Sequence, residues 1–395
     1  MNALLFAVGG AWIFLVSLLV LLLVVQVLAG WRYRPRAVAA GGAPLPSYVV
    51  LMPAHDEAGT IGGPIAAVLK QLPANGRLLV VADNCTDATA AEARALGADV
   101  IERQDPVARG KGHALAFGVA HLAANPPQVV LVIDADTTPA PGALDALAAT
   151  AADLQRPVQA LNLMLAPPGS SLRIRMAAFA WAMHNQVRPF GMHRLGLPCQ
   201  LMGTGMGFPW PCVAGDAFAS GHLAEDQQLG LKLAAAGQPP ILCPGALVES
   251  WFPLENAALE GQKKRWEHGH LSLVKAVPPL LWRALRTRNA GAMALALDLC
   301  IPPLALLALM VLVACGFGAW MAGSGWQGGL AAAAAALSLA GFAMAVLLAW
   351  YSAGRRWVRL SELASAPLYV LKKIPVYAGF LFKRQKEWVR TSRQR

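Results

Sequence analysis

The chain has 395 residues, of which 56 % are hydrophobic and only 14 % are charged. This composition excludes an ordinary soluble enzyme, because soluble domains contain about 45–50 % apolar and about 25 % charged residues. The net charge of +11 could indicate nucleic-acid binding, but Lys and Arg concentrate beside the apolar segments, where they would face anionic lipid. The sequence therefore predicts an integral membrane protein without a nucleic-acid partner. Its six cysteines lack C-x-x-C spacing and are interpreted as reduced thiols.

The first predicted element is a membrane-spanning helix, assigned to residues 1–30. From Ala3 to Leu28 the sequence is uncharged and almost wholly apolar. Such a helix, at a rise of about 1.5 Å per residue, can cross a hydrocarbon layer of about 30 Å. A basic segment, residues 32–36, follows the apolar run, whereas a cleaved signal peptide begins with basic residues. The positive-inside rule therefore places the N-terminus outside and the next domain in the cytoplasm.

Residues 45–266 carry alternating strand and helix signals. Short aliphatic or β-branched runs occur at residues 47–52, 77–82 and 128–133. Ala-rich helical stretches such as residues 60–71 and 88–96 lie between them. Repeated βαβ units of this kind predict an α/β domain with parallel strands. Such a sheet binds its ligands at the carboxyl ends of the strands.

Acidic clusters follow all three predicted strands, at residues 53–57, 83–87 and 134–136. Each alone could be a helix cap, but like charges gathered at one edge repel unless a cation offsets them. Asp134 and Asp136 can present carboxylate oxygens to one divalent ion that also binds a diphosphate. Such hard oxygen ligands indicate Mg²⁺ or Mn²⁺. The loop at residues 109–113 offers cations and backbone amides to a phosphate, although basic Gly-containing loops are common.

Two more polar motifs lie further along the chain. Glu225 and Asp226 precede a helical stretch at residues 227–236, and in isolation this position favours an N-terminal cap. The sequence Gln-Lys-Lys-Arg-Trp at residues 262–266 precedes a basic, apolar segment at residues 267–290. That segment is predicted to lie at the membrane interface, and a lipid-facing basic helix is the simplest interpretation of the motif before it.

Residues 291–351 are predicted to form two further transmembrane helices, joined by a Gly-rich turn. Basic residues flank this pair on both outer sides, so three spans give one consistent topology. Asp298 is interpreted as a carboxylate at the inner interface, and Pro302 and Pro303 should kink the helix that contains them. Residues 352–395 mix aromatic, aliphatic and basic side chains, which predicts an amphipathic, basic cytoplasmic tail in the headgroup layer.

The order of these motifs resembles that of the family-2 glycosyltransferases, which include cellulose, chitin, hyaluronan and poly-N-acetylglucosamine synthases. The shared motifs are an acidic P-x-x-x-E start, a strand-end Asp, D-x-D, an E-D pair and Q-x-x-R-W. The resemblance implies a GT-A fold, which is a Rossmann-like α/β domain that binds nucleotide sugars, here cytoplasmic and joined to about three transmembrane helices and amphipathic interface helices. The base motif reads Ala-Glu-Asp where synthases often have Thr-Glu-Asp, and no counterpart of the cellulose synthase gating loop is present.

The resemblance also implies roles on the donor side. His55 and Glu57 would line the nucleobase pocket, and Asp83 would contact the nucleoside. Lys111 would approach the donor phosphates. Asp134 and Asp136 would be the carboxylates that hold the metal and the nucleoside diphosphate, with Mg²⁺ or Mn²⁺ as the cofactor.

On the acceptor side, the same comparison makes Asp226 the general base, with Glu225 before it. Residues 188–210 resemble the acceptor-binding region, which would include Gly203, Thr204 and Gly205. The last motif would bind pyrophosphate and shape the acceptor entrance through Gln262, Arg265 and Trp266.

The predicted function is inverting transfer of a sugar from a nucleotide-diphosphate donor, expected to be a UDP-sugar, to a growing extracellular or capsular polysaccharide. One alternative is the addition of a single sugar to a polyprenyl-linked glycan. Another, from a different class, is a catalytically silent membrane scaffold or transport component. The expected partners are the nucleotide sugar, a glycan or lipid-linked glycan and membrane lipids.

Overall fold

The structure is a computed structural model, and it describes residues 3–35 and 44–365 together with Val370 and Tyr377. The sheet domain contains eight strands: β1 Tyr48–Ala54, β2 Arg77–Asp83, β3 Asp99–Arg103, β4 Val129–Val132, β5 Thr138–Pro139, β6 Val158–Leu165, β7 Met206–Pro209 and β8 Ile241–Trp251. Its helices are α2 Gly62–Leu69, α3 Thr89–Ala95, α4 Lys111–Leu122, α5 Ala143–Leu154, α6 Leu172–Ala182, α7 Arg188–Arg194 and α8 Glu225–Ala235. The remaining helices are α1 Ala3–Gly30, α9 Asn256–Leu273, α10 Val277–Arg286, α11 Ala290–Leu299, α12 Leu304–Met321, α13 Gly325–Ala349 and α14 Leu360–Leu363.

The strands form one mixed sheet in the order β3-β2-β1-β4-β7-β6-β8-β5. The first four strands in this order are parallel to one another, as the βαβ pattern predicts. Strand β7 is antiparallel to both of its neighbours, β4 and β6. Because an antiparallel strand begins where its neighbour ends, the segment that enters β7 lies at the carboxyl end of β4.

The sheet is buried on both faces, which explains why its central strands are continuous apolar runs rather than alternating ones. In β1, Val50 and Met52 pack with α2 and α5, while Val49 and Leu51 pack with α4 on the opposite face. This two-sided core fixes the depth of each strand, so the polar residues that follow the strands emerge together at one edge.

Within the described residues, three helices are long and apolar enough to cross a membrane: Ala3–Gly30, Leu304–Met321 and Gly325–Gly354. They pack against one another, and a hydrogen bond of 2.8 Å joins Ser17 of the first to Ser338 of the third. The predicted number of spans is confirmed by length and composition. Their orientation in the membrane stays a prediction.

The predicted second span differs from the observed one at its start. Residues 290–299 form the separate short helix α11, and the spanning helix α12 begins only at Leu304. Pro302 and Pro303 lie between α11 and α12 and separate the two helices, because proline lacks the N–H that would continue a helix. The structure therefore has a break between two helices where the sequence predicts a kink.

Most of the predicted amphipathic tail at residues 352–395 lies outside the described residues.

Candidate active site

The D-x-D motif lies directly after β4, at the carboxyl edge of the parallel strands. The carboxylate of Asp134 pairs with the ammonium group of Lys111. The backbone N–H of Asp134 donates to Thr204 Oγ1 over 3.0 Å, and Asp136 accepts a hydrogen bond of 3.1 Å from Thr137. Both carboxylates are partly exposed, and both face one large cavity. Two hard oxygen donors two residues apart fit Mg²⁺ or Mn²⁺.

Lys111 begins α4 and joins this motif to the loop that contains Gly203. Its Nζ also donates to the carbonyl oxygen of Gly203 over 2.7 Å. Burial opposes the charged form, but the attraction of Asp134, Glu225 and Asp226 outweighs it, so the pKa of Lys111 is raised. Lys111 is therefore a fixed positive charge among carboxylates.

Glu225 and Asp226 form the first turn of α8 and also line the cavity. A close approach places this turn beside Lys111: a Cβ on Gly112 would lie 2.4 Å from the carbonyl oxygen of Ser220, so only glycine admits the loop that leads to α8. Burial raises the pKa of both carboxyl groups, and the charge of Asp226 raises that of Glu225 further. Lys111 and the backbone N–H groups oppose this rise, and the pKa of Asp226 reaches about 6.

Gly203 and Gly205 have positive φ angles, of 84° and 66°. A Cβ on Gly203 would lie 3.5 Å from Asp226 Oδ2 and 3.8 Å from Lys111 Nζ, so this glycine adjoins both groups. A Cβ on Gly205 would lie 2.8 Å from Val248 Cγ2 and 2.9 Å from the Cβ of Ala160. Gly205 therefore belongs to the packed base of the loop, whereas Gly203 lines the cavity.

Gly203→Ala should reduce activity at least tenfold, because the added methyl group would occupy cavity space beside Asp226 and Lys111, and small misplacements of a bound substrate are costly. The matched control is Gly237→Ala, at φ 85° and with nothing within 4 Å of the added carbon. Both variants should lose about 1–2 kcal/mol of stability through the left-handed backbone. Thermal unfolding and initial rates test this, and equal activity in the two variants would contradict the assignment of Gly203.

The sequence did not reveal Gln159, which holds this loop in place. Gln159 is fully buried in β6, and its amide donates to the carbonyl oxygen of Thr204 over 2.8 Å. Its Oε1 accepts from the backbone N–H of Met202 over 2.7 Å. Two amides, Gln159 and Asn162, inside the otherwise apolar residues 158–165 were the available signal, since a buried amide needs partners.

The three residues predicted for the nucleobase end lie at the carboxyl ends of β1 and β2, outside the cavity lining. His55 Nδ1 lies 2.7 Å from the carbonyl oxygen of Asp83, and Glu57 accepts a hydrogen bond of 3.0 Å from Thr60. Asp83 is also held by Arg103, whose guanidinium donates to its carboxylate over 2.6 Å with both side chains about one-tenth exposed. Arg103 was not predicted, because its pairing depends on the β2–β3 register.

A second acidic group, formed by Asp56, Cys85 and Asp87, brings its possible ligand atoms within 4.8 Å of one another. The backbone N–H of Thr86 donates to Asp56 over 2.6 Å, and that of Ala58 donates to Asp87 over 3.1 Å. A thiol is a poor ligand for Mg²⁺ or Mn²⁺. These carboxylates therefore link the two loops, and the D-x-D motif remains the better cation site.

The Q-x-x-R-W motif lies on α9 and contributes one wall of the same cavity through Gln262, Arg265 and Trp266. Trp266 packs against Trp181 of α6, with ring centroids 4.5 Å apart. The cavity has a volume of about 400 Å³, and its lining includes the D-x-D carboxylates, this aromatic pair, Leu23 of α1 and Leu304 of α12. The polar residues of these motifs and two of the helices predicted to span the membrane therefore line the same cavity.

A mixed sheet with a D-x-D motif and an acidic pair at one edge defines a nucleotide-sugar-binding fold of the GT-A class. Residues 46–269, more than half of the chain, match the family model described as "Glycosyltransferase like family 2". The chain therefore belongs to this family of glycosyltransferases, as the motif order predicts. No curated protein matches the chain.

Two solved structures are similar to the chain at low sequence identity. The mannosyltransferase PcManGT from Pyrobaculum calidifontis, in complex with GDP-Man and Mn²⁺, is 21 % identical with a TM-score of 0.51, and the match covers 96 % of this chain and 100 % of that chain. Glucosyl-3-phosphoglycerate synthase from Mycobacterium tuberculosis, in complex with Mn²⁺, UDP and phosphoglyceric acid, is 18 % identical with a TM-score of 0.38. The latter match covers 61 % of this chain and 84 % of that chain. The first likeness extends the shared fold to the apolar helices.

Proposed function

We propose that this family-2 enzyme transfers a sugar, with inversion, from a nucleotide-diphosphate donor to an acceptor that reaches the site from the membrane side. The observation that carries this proposal is the position of Lys111, which pairs with Asp134 and binds the carbonyl of Gly203 next to Asp226. A donor-side cation and an acceptor-side carboxylate therefore meet at one end of a single cavity. This is the arrangement that displacement at an anomeric carbon requires.

The residues divide the work along the reaction axis. Asp226 takes the proton of the acceptor hydroxyl as the new glycosidic bond forms. Lys111 and Arg265 stabilise the negative charge that develops on the departing diphosphate. Asp134 and Asp136 would hold Mg²⁺ or Mn²⁺, and this ion supplies further charge neutralisation at the diphosphate. His55, Glu57 and Asp83 would bind the nucleoside, and we propose a UDP-sugar as the donor.

The apolar part of the cavity lining favours a lipid-linked glycan over a free polysaccharide as the acceptor. This part of the lining contains Leu23, Leu304 and Leu307. All three lie on helices that are long and apolar enough to span a membrane. A polyprenyl chain bound there would be surrounded by apolar side chains, as it is by lipid tails in the bilayer. The ordered set of carboxylates and cations around the other end favours an enzyme over a silent scaffold.

We also propose that the sheet domain lies on the cytoplasmic side of the membrane. Arginines stack on aromatic rings beside the ends of the apolar helices, at 4.2 Å for Arg32 over Trp31 and 4.8 Å for Arg355 over Tyr351. Trp and Tyr prefer the headgroup layer, and Arg prefers the cytoplasmic side. Both pairs are on the side of the sheet domain, next to the ends of α1 and of the third spanning helix.

The test uses purified protein in lipid nanodiscs, Mn²⁺ and labelled UDP-glucose, UDP-N-acetylglucosamine or GDP-mannose, with a polyprenyl-diphosphate-linked glycan as acceptor. We expect one UDP-sugar to be transferred, EDTA to abolish transfer and Mn²⁺ to restore it. Sizing of the product separates a single addition from a polymer. Turnover of GDP-mannose alone would refute the UDP assignment, and the absence of donor binding would favour the scaffold.

A further inference from the structure

His222 lies in the loop before α8 and makes hydrogen bonds in two directions. Its Nδ1 accepts from the backbone N–H of Ala224 over 3.0 Å. Its Nε2 lies 2.9 Å from the hydroxyl oxygen of Ser272 on α9, and this hydroxyl donates to the carbonyl oxygen of Gly269 over 2.6 Å. Because Ala224 directly precedes the acidic first turn of α8, the imidazole joins this turn to α9.

The protons in this chain of hydrogen bonds have one consistent arrangement. A backbone N–H can only donate, so Nδ1 of His222 is an acceptor and carries no proton. Ser272 uses its hydroxyl proton for the carbonyl of Gly269, so its oxygen accepts from Nε2, which carries the proton of the neutral imidazole. Every donor in the chain therefore has an acceptor, and histidine supplies one of each on a single rigid ring.

The loop that contains His222 is packed closely between α4 and α9. A Cβ on Gly112 of α4 would lie 2.4 Å from the carbonyl oxygen of Ser220, and a Cβ on Gly269 of α9 would lie 3.2 Å from the Cβ of Ala224. The hydroxyl of Ser220 also accepts from the backbone N–H of His222 over 3.1 Å. The loop therefore contacts both helices, and it has little room to shift between them.

The face of α9 that meets this loop also carries the Q-x-x-R-W motif. Four residues recur at the three- and four-residue spacing of one helix face: Gln262, Arg265, Gly269 and Ser272. Arg265 and Asp226 both line the cavity, and in the proposed reaction they act on the departing diphosphate and on the acceptor hydroxyl. Both must be in place in the same transition state, because a misplacement of about 1 Å can cost about 10²-fold in rate.

We propose that His222 is a positioning residue that sets the first turn of α8 against α9 and so fixes Asp226 relative to Arg265. The inference rests on the proposed function and adds to it a link between the proposed base and the proposed diphosphate-binding cation. Loss of this link should lower kcat and leave both KM values nearly unchanged. His222 also lines the cavity, and loss of a direct substrate contact would instead raise a KM.

Two substitutions break the link from opposite sides. Ser272→Ala removes the hydroxyl on α9. His222→Asn keeps an acceptor for the N–H of Ala224, as in an Asx-turn, but the shorter amide does not reach Ser272. Each should lower kcat about tenfold, the effect of one lost hydrogen bond, with both KM values within about twofold of the wild type. The double variant should lose no more than either single variant, because both changes remove the same link.

The matched control is Ser352→Ala, which should keep the wild-type kcat. Ser352 makes the same kind of local bond, to the carbonyl oxygen of Ala349 over 3.2 Å, and it is not part of the cavity lining. Initial rates are measured in nanodiscs with the donor found active above, and thermal unfolding shows whether each variant is folded at the assay temperature. Because the two substitutions lie on different elements, one of them still tests the link if the other is unstable.

Three results would overturn the positioning role of His222. These are wild-type kcat in Ser272→Ala and His222→Asn, losses that multiply in the double variant, or a loss that appears as a raised KM. In each case sugar transfer by the wild type would leave the proposed function standing. A wild-type protein that binds the donor and acceptor without transferring sugar, or that binds no donor, would overturn both.

Discussion

Asp226→Asn should reduce sugar transfer by about 10²–10⁴, the usual contribution of a general base, while the affinity for UDP changes little. The amide keeps the shape of the carboxylate but cannot take the acceptor proton. Asp134 and Asp226 repel each other electrostatically, so a neutral amide at position 226 should not weaken the D-x-D site. Transfer from the labelled donor gives the rate, and titration calorimetry with UDP and Mn²⁺ gives the binding.

The matched control for this change is Asp216→Asn, which alters an exposed carboxylate in the loop before α8. It should retain nearly full activity. Glu225→Gln tests the neighbouring carboxylate. We expect a smaller loss of activity from this change, because the raised pKa of Glu225 leaves it less fully ionised. If Asp226→Asn transfers sugar within tenfold of the wild-type rate, Asp226 is not the base.

Arg188→Met should cost about 3–5 kcal/mol of stability, the usual penalty for leaving one member of a buried ion pair alone. Arg188 and Asp298 have side-chain exposures of 6 % and 10 %, and their contact joins α7 to α11. Gln26 of α1 binds both, over 2.8 Å to Arg188 and 2.9 Å to Asp298. The loss would remain visible in detergent as a lowered thermal unfolding midpoint.

A double variant shows whether the cost comes from the stranded charge. Arg188→Met with Asp298→Leu should recover most of the lost stability, because apolar residues of similar volume often replace a buried ion pair without penalty. The control is Arg173→Met, which breaks the exposed pair with Glu260 and should cost at most about 1 kcal/mol. A double variant no more stable than Arg188→Met would contradict this account.

The Arg188–Asp298 contact adds a partner to Asp298, whose predicted place at the inner interface of the membrane stays a prediction. Asp298 is buried, with 8 % of its surface exposed, and it is part of a network that links three helices. The sequence could place it beside an apolar run, but its partner lies 110 residues earlier. No local pattern identifies a pair at that separation.

The sequence determined the features that depend on periodicity, length and short spacing. Three apolar runs predict the three long helices, because a bilayer sets the length of a spanning helix. Aliphatic runs that end in Asp predict parallel strands with carboxylates at one edge, and the motif order predicts the family. Asp134, Asp136 and Asp226 line one cavity.

Only the tertiary structure decided which of these groups face each other. Strand β7 runs antiparallel to β4, so Gly203 and Thr204 arrive beside Asp134, and the sequence does not state that direction. The hydrogen bonds of Gln159 also depend on the tertiary structure, since its partners lie in a loop more than 40 residues away in the sequence. A buried amide shows which partners it has only when every neighbouring backbone group has been placed.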